Sequence, residues 1–329
     1  MTNSLPLSVS VIVPTYKRPD LLKRCLAALL HQSISGDTYE IIVCDDGPSS
    51  VVAELLQQLA AHQGNNRPLM RYIAVTATQG PAAARNAGWH IARAPIIAFT
   101  DDDTIADPGW LSAGLSAMAS GAHAAVGAII MPLPEKLTDY EKDAGRLQQA
   151  EFATANCFVR RDALEMVGGF DERYTQAWRE DSDLHFSLLK NGCLIIRAPN
   201  AIVMHPLRPA RFAAGLAMQK KVMFDVLLYR KHRHLYRERI RKGPPWLYLL
   251  VTASLIVAFF AFLSGWAAAA KVALYIWVAL SLGFFIYRLA RTSFALRNIA
   301  ELLVTSVLIP PLSIFWRVVG AARFGRGLP

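Results

Sequence analysis

Between Ser8 and Thr100 the chain switches repeatedly between short apolar runs and stretches carrying a helical apolar stripe. Val9-Ser10-Val11-Ile12-Val13-Pro14 is a β-rich run, and Asp20–Gln32 follows with Leu21, Leu22, Cys25, Leu26, Leu29 and Leu30 on one face of a 3.6-residue period. Glu40–Cys44 is again strand-like, Val51–Ala61 helical, Met70–Val75 a third strand and Pro81–Arg93 an alanine-rich helix that leads into Ala94–Thr100. Strands separated by helical stretches of this length predict βαβ units, hence a mostly parallel, twisted α/β sheet. Ser182–Leu189 reads as a further helix.

The pattern changes completely toward the carboxyl end. Trp246–Ala270 holds no charged residue, and crossing hydrocarbon takes about 20 apolar residues, so this run predicts a membrane span. Val272–Tyr287 is shorter, but Lys271 can snorkel and extend it. A third run, Leu302–Trp316, contains Pro310-Pro311 and precedes Arg317, Arg323 and Arg326. If it crossed, those arginines would be exported, against the positive-inside tendency, so a re-entrant or interfacial segment is the expectation and a third span the alternative.

Charge divides the chain at the same place. Of 35 basic and 25 acidic side chains, 18 basic ones but only Asp225, Glu238 and Glu301 lie in 207–329. That leaves 17 basic and 22 acidic groups in 1–206, a net of −5 against +15 for the remainder. Three parts follow: an α/β domain over 1–206, a basic amphipathic membrane-interface segment over 207–245, and a hairpin plus re-entrant or third membrane segment over 246–329. Basic groups ahead of the first span and behind the second place both ends of the hairpin in the cytoplasm, giving a multi-pass protein of the cytoplasmic membrane with its α/β domain inside. Met1–Ser8 lacks the basic start and apolar stretch of a signal peptide. Arg230–Lys242, dense in arginine and lysine directly ahead of a span, reads as binding to anionic lipid head groups and not to nucleic acid. Cys25, Cys44, Cys157 and Cys193 are scattered without metal-ligand spacing, as expected of core thiols in a reducing compartment.

The chemistry-bearing feature is Asp101-Asp102-Asp103, directly after the run ending in Thr100. Carboxylates at the carboxyl end of a buried strand sit where open α/β sheets bind ligands. Adjacent negative charges repel, and a hard divalent cation such as Mg²⁺ or Mn²⁺ relieves that repulsion while bridging to a substrate's phosphates. A solvated acidic turn or a helix N-cap is the alternative. Asp45-Asp46-Gly47 also follows a strand, so the two acidic clusters are expected on one edge of the sheet. The first strand-to-helix turn, Pro14-Thr15-Tyr16-Lys17-Arg18-Pro19, has no glycine, which removes the dinucleotide fingerprint.

Val11-Ile12-Val13-Pro14-Thr15-Tyr16, Val43-Cys44-Asp45-Asp46-Gly47, Ala84-Arg85-Asn86-Ala87-Gly88, Phe99-Thr100-Asp101-Asp102-Asp103, Gly168-Gly169-Phe170-Asp171-Glu172 and Arg179-Glu180-Asp181 together resemble family 2 glycosyltransferases of the GT-A fold. The resemblance covers roughly Ser8–Pro206. It implies inverting transfer of a sugar from a nucleotide-diphosphate sugar, with a divalent cation. It further implies that Asp46 holds the donor base with Tyr16 beside it, that Pro14 and Thr15 supply the adjacent loop, and that Arg85 contacts the nucleotide. Asp101 and Asp103 match the ends of an Asp-x-Asp motif, Asp103 being the direct metal ligand and Asp101 and Asp102 lying on the donor side. His205 resembles a late histidine that approaches the diphosphate and metal; a histidine capping a strand end is the alternative. Asp181 resembles the catalytic base, a role that suits a carboxylate within reach of an acceptor hydroxyl; a helix N-cap is the alternative.

Where processive relatives carry Gln-x-x-Arg-Trp, this chain has Ala217-Met218-Gln219-Lys220-Lys221-Val222, which disfavours a polymer synthase. The apolar tail and basic belt point to membrane lipids as partners and to a lipid-linked or envelope-glycan acceptor. A nucleotidyltransferase and a membrane-tethered scaffold that binds nucleotide sugars without turnover are the competing classes. The first conflicts with the glycine-free opening turn, and a degenerate scaffold would not require Asp46, Asp103 and Asp181 together.

Overall fold

The computed structural model describes residues 6–61, 67–325, 327 and 329; Met1–Leu5 and Arg326, on which the leader and positive-inside readings partly fall, lie outside them. The chain forms two units, one of residues 1–132 and 146–207, the other of 133–145 and 208–329.

In the first unit β1 (Val9–Thr15), α1 (Pro19–Leu29), β2 (Tyr39–Asp45), α2 (Ser50–Ala61), β3 (Leu69–Ala74), α3 (Pro81–Ile91) and β4 (Ile96–Thr100) alternate as the apolar pattern predicts. β1 and β2 are buried along almost their whole length, which is why they read as continuous apolar runs and not as alternating ones. α1 opens with Pro19 at its first turn and Asp20 beside it, and buries Leu22, Cys25, Leu26 and Leu29. Beyond β4 come β5 (Ile105–Ala106), α4 (Trp110–Met118) and β6 (Ala124–Ile130); α5 (Asp139–Gly145) belongs to the second unit. Then follow β7 (Asn156–Arg160), α6 (Arg161–Val167), α7 (Glu180–Lys190) and β8 (Ile195–Met204).

The strand order is β3-β2-β1-β4-β7-β6-β8-β5. Its first four strands are parallel, β7 runs antiparallel to β4 and β6, β6 and β8 are parallel, and β5 is antiparallel to β8. The sheet is thus mixed, a Rossmann-like parallel half extended by strands the local pattern does not announce. Gly88 explains how α3 lies so close to the sheet: a Cβ there would sit 2.6 Å from Ile12 Cγ2 and 2.7 Å from Cys44 Sγ. All four cysteines are buried and free, and burial pushes the thiols of Cys25, Cys44 and Cys157 up, so they fill the core as expected.

The second unit contains α8 (Ala214–Met218), α9 (Met223–Lys231), α10 (Arg233–Leu235) with a π-helical turn over Tyr236–Ile240, α11 (Trp246–Leu263), α12 (Ala267–Leu289) and α13 (Leu296–Phe324). The last three are long and apolar enough to cross a membrane, by length and composition. α13 is continuous through Pro310 and Pro311, so the run expected over Leu302–Trp316 is the middle of a 29-residue helix.

Candidate active site

Because β2, β1 and β4 are parallel neighbours, their carboxyl ends share one edge, and both acidic clusters emerge there. The Asp46 backbone N–H donates to the Thr15 carbonyl at 2.8 Å, which ties the end of β2 to the end of β1. Asp45 serves the turn: it accepts from the N–H groups of Gly47 and Ser49, both at 3.1 Å, and from the Tyr72 hydroxyl at 3.2 Å. Asp46 instead accepts the Gly80 N–H at 2.8 and 3.0 Å, and burial holds its carboxyl above the ordinary range despite that bond. The Tyr16 ring is half exposed and passes so near Gly47 that a Cβ there would lie 2.8 Å from it. Pro14 and Thr15 form the last two positions of β1, paired with Cys44 and Asp45.

The three-aspartate turn divides its labour. Asp102 points inward, accepting the Thr15 hydroxyl at 2.8 Å and Arg18 Nη1 at 3.3 Å; burial pushes it up to about 6. The Thr104 hydroxyl donates to the Asp101 carbonyl at 2.9 Å and fixes the turn. The chain then enters β5, whose Ile105 pairs with Met204 at the end of β8. That pairing carries Asp103 to His205, with Asp103 Oδ1 3.5 Å from His205 Nε2. One ligand atom each from Asp101, Asp103 and His205 lie within 4.8 Å of one another. His205 Nδ1 is buried without a hydrogen-bond partner, while its backbone N–H donates to the Ile130 carbonyl at 2.8 Å. Two carboxylate oxygens and an imidazole nitrogen in this space fit a divalent cation.

Arg85, on the first turns of α3, is buried, and its guanidinium is shared by two carboxylates. Nη2 donates to Asp101 Oδ1 at 2.8 Å and Nη1 to Glu180 Oε1 at 3.2 Å. The resemblance implies a nucleotide contact for Arg85; in the structure its guanidinium bridges Asp101 and Glu180. Glu180 begins α7, and its preceding residue Arg179 adopts φ +75°, a left-handed conformation that turns the chain sharply into the helix. Asp181 follows, half buried, with Oδ1 accepting the Ser182 N–H at 2.6 Å. The helix N-terminus favours its charge, but burial prevails and raises its pKa; burial and the neighbouring Asp181 likewise raise that of Glu180.

Glu180 and Asn86 are the residues sequence reasoning passed over. Asn86 accepts the Phe170 N–H at 2.9 Å and donates to the Phe170 carbonyl at 2.8 Å and to Glu172 at 3.0 Å, fastening the Gly168–Glu172 loop to α3. Both lie inside quoted motifs, where an amide or acid beside each named residue was the available signal.

A mixed α/β sheet of this order, with two acidic turns at the carboxyl ends of its parallel strands, places carboxylates where open α/β sheets bind ligands. The profile described as glycosyl transferase family group 2 matches residues 96–290, and that described as glycosyl transferase family 2 matches 10–168. The chain belongs to the family 2 glycosyltransferases. It is 28% identical over 221 residues to glycosyltransferase AglE of Haloferax volcanii, covering 64% of this chain and 70% of that protein. It is 26% identical over 230 residues to validoxylamine A glucosyltransferase of Streptomyces hygroscopicus subsp. limoneus, covering 58% of this chain and 49% of that enzyme. The fold is shared with the Pyrobaculum calidifontis mannosyltransferase solved with GDP-Man and Mn²⁺, at a TM-score of 0.56 and 17% identity over 98% of this chain and 88% of that one.

Proposed function

We propose that this chain transfers a sugar, with inversion, from a nucleoside-diphosphate sugar to the hydroxyl of an acceptor at a membrane, one sugar per encounter. The observation that carries this reading is the line of contacts from His205 and Asp103 through Asp101 and Arg85 to Glu180, next to Asp181. It joins a cation cluster to a carboxylate base within one edge of one sheet.

In this reading Tyr16 and Asp46 receive the donor base, with Pro14 and Thr15 shaping the loop beneath it. Asp101, Asp103 and His205 hold the cation, and the oxygen majority in that set suits Mn²⁺ or Mg²⁺. Bound there, the cation would offset charge gathering on the diphosphate. Asp181 accepts the acceptor's hydroxyl proton as its oxygen attacks the anomeric carbon, and the electron pair of the broken bond leaves on the diphosphate. A single displacement of this kind inverts the carbon and needs no enzyme nucleophile. The raised pKa of Asp181 makes it a stronger base than an ordinary carboxylate.

The acceptor class rests on the apolar helices and on the basic side chains between Arg230 and Lys242. Residues 246–289 form a membrane hairpin, the basic segment binds anionic head groups on the cytoplasmic face, and the acceptor is carried on a lipid of that leaflet.

The test is nucleotide release by the detergent-purified protein from a panel of nucleotide sugars, with and without Mn²⁺ or Mg²⁺ and with and without total lipid extract. Metal-dependent release from one donor, abolished in Asp103→Asn, is expected. Transfer to soluble acceptors alone would remove the lipid assignment, donor binding without release under every condition would favour a tethered scaffold, and absence of both would remove the nucleotide-sugar reading.

A further inference from the structure

α13 has 29 residues and is about 43 Å long at 1.5 Å per residue, ample to cross a bilayer. Its contacts decide whether it does. Near its amino end, Asn298 Oδ1 accepts the Asp139 backbone N–H at 3.3 Å, and the Ser293 N–H just before the helix donates to the Leu137 carbonyl at 2.7 Å. In its middle, Thr305 and Ser306 accept from Arg288 Nη1 at 2.9 Å each, while Arg288 Nη2 holds Asp139 at 2.7 Å. Near its carboxyl end, Arg317 Nη2 lies 3.6 Å from Asp225 Oδ2, the Phe324 ring packs on Phe224 at 5.9 Å, and Arg230 donates to the Phe324 carbonyl.

Among the described residues, only α11, α12 and α13 are long and apolar enough to cross. No such helix lies between Asp139 and Arg230, so that whole stretch occupies one side of any bilayer the chain enters. Both ends of α13 are bonded to it. A helix anchored at both ends to one side does not span.

Its buried face mixes polar and apolar side chains while its open face is apolar, unlike a helix lying on a water-soluble protein. Asn298, Leu302, Thr305, Ile309, Ser313, Arg317, Gly320 and Phe324 are buried at three- and four-residue spacing, with Ser306 and Pro310 beside them. The opposite face exposes Leu296, Leu303, Val304, Leu308, Phe315 and Val318. α11 and α12 expose apolar side chains as well, among them Phe259, Phe260, Tyr275 and Ile276. Pro310 and Pro311 deprive the Ser306 and Val307 carbonyls of helical donors, a heavy cost at the centre of a bilayer and a small one at its wet surface.

The geometry points to α13 as an in-plane membrane helix, lying along the leaflet on the side of Asp139–Arg230 with its apolar stripe sunk between acyl chains. Exposed Arg291, Arg297 and Arg323 sit at head-group level for anionic lipids. The chain then crosses twice and ends on the side where it begins. This inference rests on the reading that α11 and α12 anchor the protein in a membrane.

Two measurements test it. Epitope tags ahead of Met1, after Pro329 and within the α11–α12 turn at Gly265 are probed with protease in sealed vesicles of one orientation. Shared accessibility of the two end tags, opposite to that of the turn tag, is expected; end tags on opposite faces overturn the in-plane helix. Extraction of the protein by alkaline carbonate, or all three tags on one face, overturns the anchoring itself. Secondly, a fluorophore on Leu308→Cys, selective because all four native thiols are buried, is read against nitroxide-labelled lipids. Stronger quenching by nitroxides near the head group than by those near the tail end is expected, and the reverse order overturns the proposal.

Discussion

Arg85 and Glu180 stand 95 residues apart in the chain and 3.2 Å apart in space, both almost wholly buried. The same guanidinium takes Asp101 at 2.8 Å, so a single cation neutralises one acid from each of the two motifs on which the proposed catalysis depends. Asp181 is the chain neighbour of Glu180, and Asp103 lies two residues beyond Asp101, so the bridge holds the turns that present both.

Replacing Arg85 should therefore strand buried Glu180 without its cation and leave Asp101, partly exposed, unpaired from it. Breaking a buried pair on one side costs about 3–5 kcal/mol. Arg85→Ala is expected to lower the thermal midpoint in detergent markedly and to abolish nucleotide release. Arg85→Ala combined with Glu180→Gln should recover part of the stability and none of the activity. Equal stability of wild type and Arg85→Ala would show that the bridge contributes nothing.

Asp103→Asn removes a negative charge from the cluster with Asp101 and His205 that is proposed to hold the cation. Cation affinity should fall by at least about 10–100-fold, the range seen when even outer partners of a metal ligand are lost. Mn²⁺ titration followed by nucleoside-diphosphate binding reads this directly, and chelation of the wild type should reproduce the variant's behaviour.

Asp181→Asn should keep donor affinity and lose turnover by about 10²–10⁴, the usual worth of a general base. Retention of substantial turnover would remove Asp181 from that role.

The pH dependence has a definite sign. A general base acts deprotonated, and burial raises the pKa of Asp181 above the ordinary 3.8. As pH falls, turnover should begin to fail at a higher pH than an ordinary carboxylate would dictate. An acid limb of kcat at or below 3.8 would contradict the assignment.

Gly88 offers a packing test away from the reacting atoms. Overfilling a tight core costs about 1–3 kcal/mol, and a methyl group there meets Ile12 and Cys44 well inside van der Waals contact. Gly88→Ala is expected to lower the thermal midpoint and, by shifting α3, to reduce turnover through Arg85. An unchanged midpoint would mean that the helix moves freely away from the sheet.

The parallel half of the sheet was legible in the sequence because each of its elements buries apolar residues at its own period, two-faced runs for β1 and β2 and a single stripe for α1. β5, only two residues long, carries no period that a pattern could reveal, and β7 runs against its neighbours for reasons of chain path. The direction of Arg85 was equally hidden, since an arginine in a helix has the same local signature whether it meets a phosphate or two buried acids.

By itself the sequence determined which acids follow which strands, the division between an acidic α/β body and a basic, apolar tail, and the family, because these depend on neighbours in the chain. Only the tertiary structure decided that Ile105 pairs with Met204 and so brings Asp103 to His205, that Arg85 spans Asp101 and Glu180, and that α13 meets Asp139 near one end and Asp225 near the other. These are contacts between distant segments, and their free energy comes from desolvated charges finding partners and apolar faces finding cover, which no local period encodes.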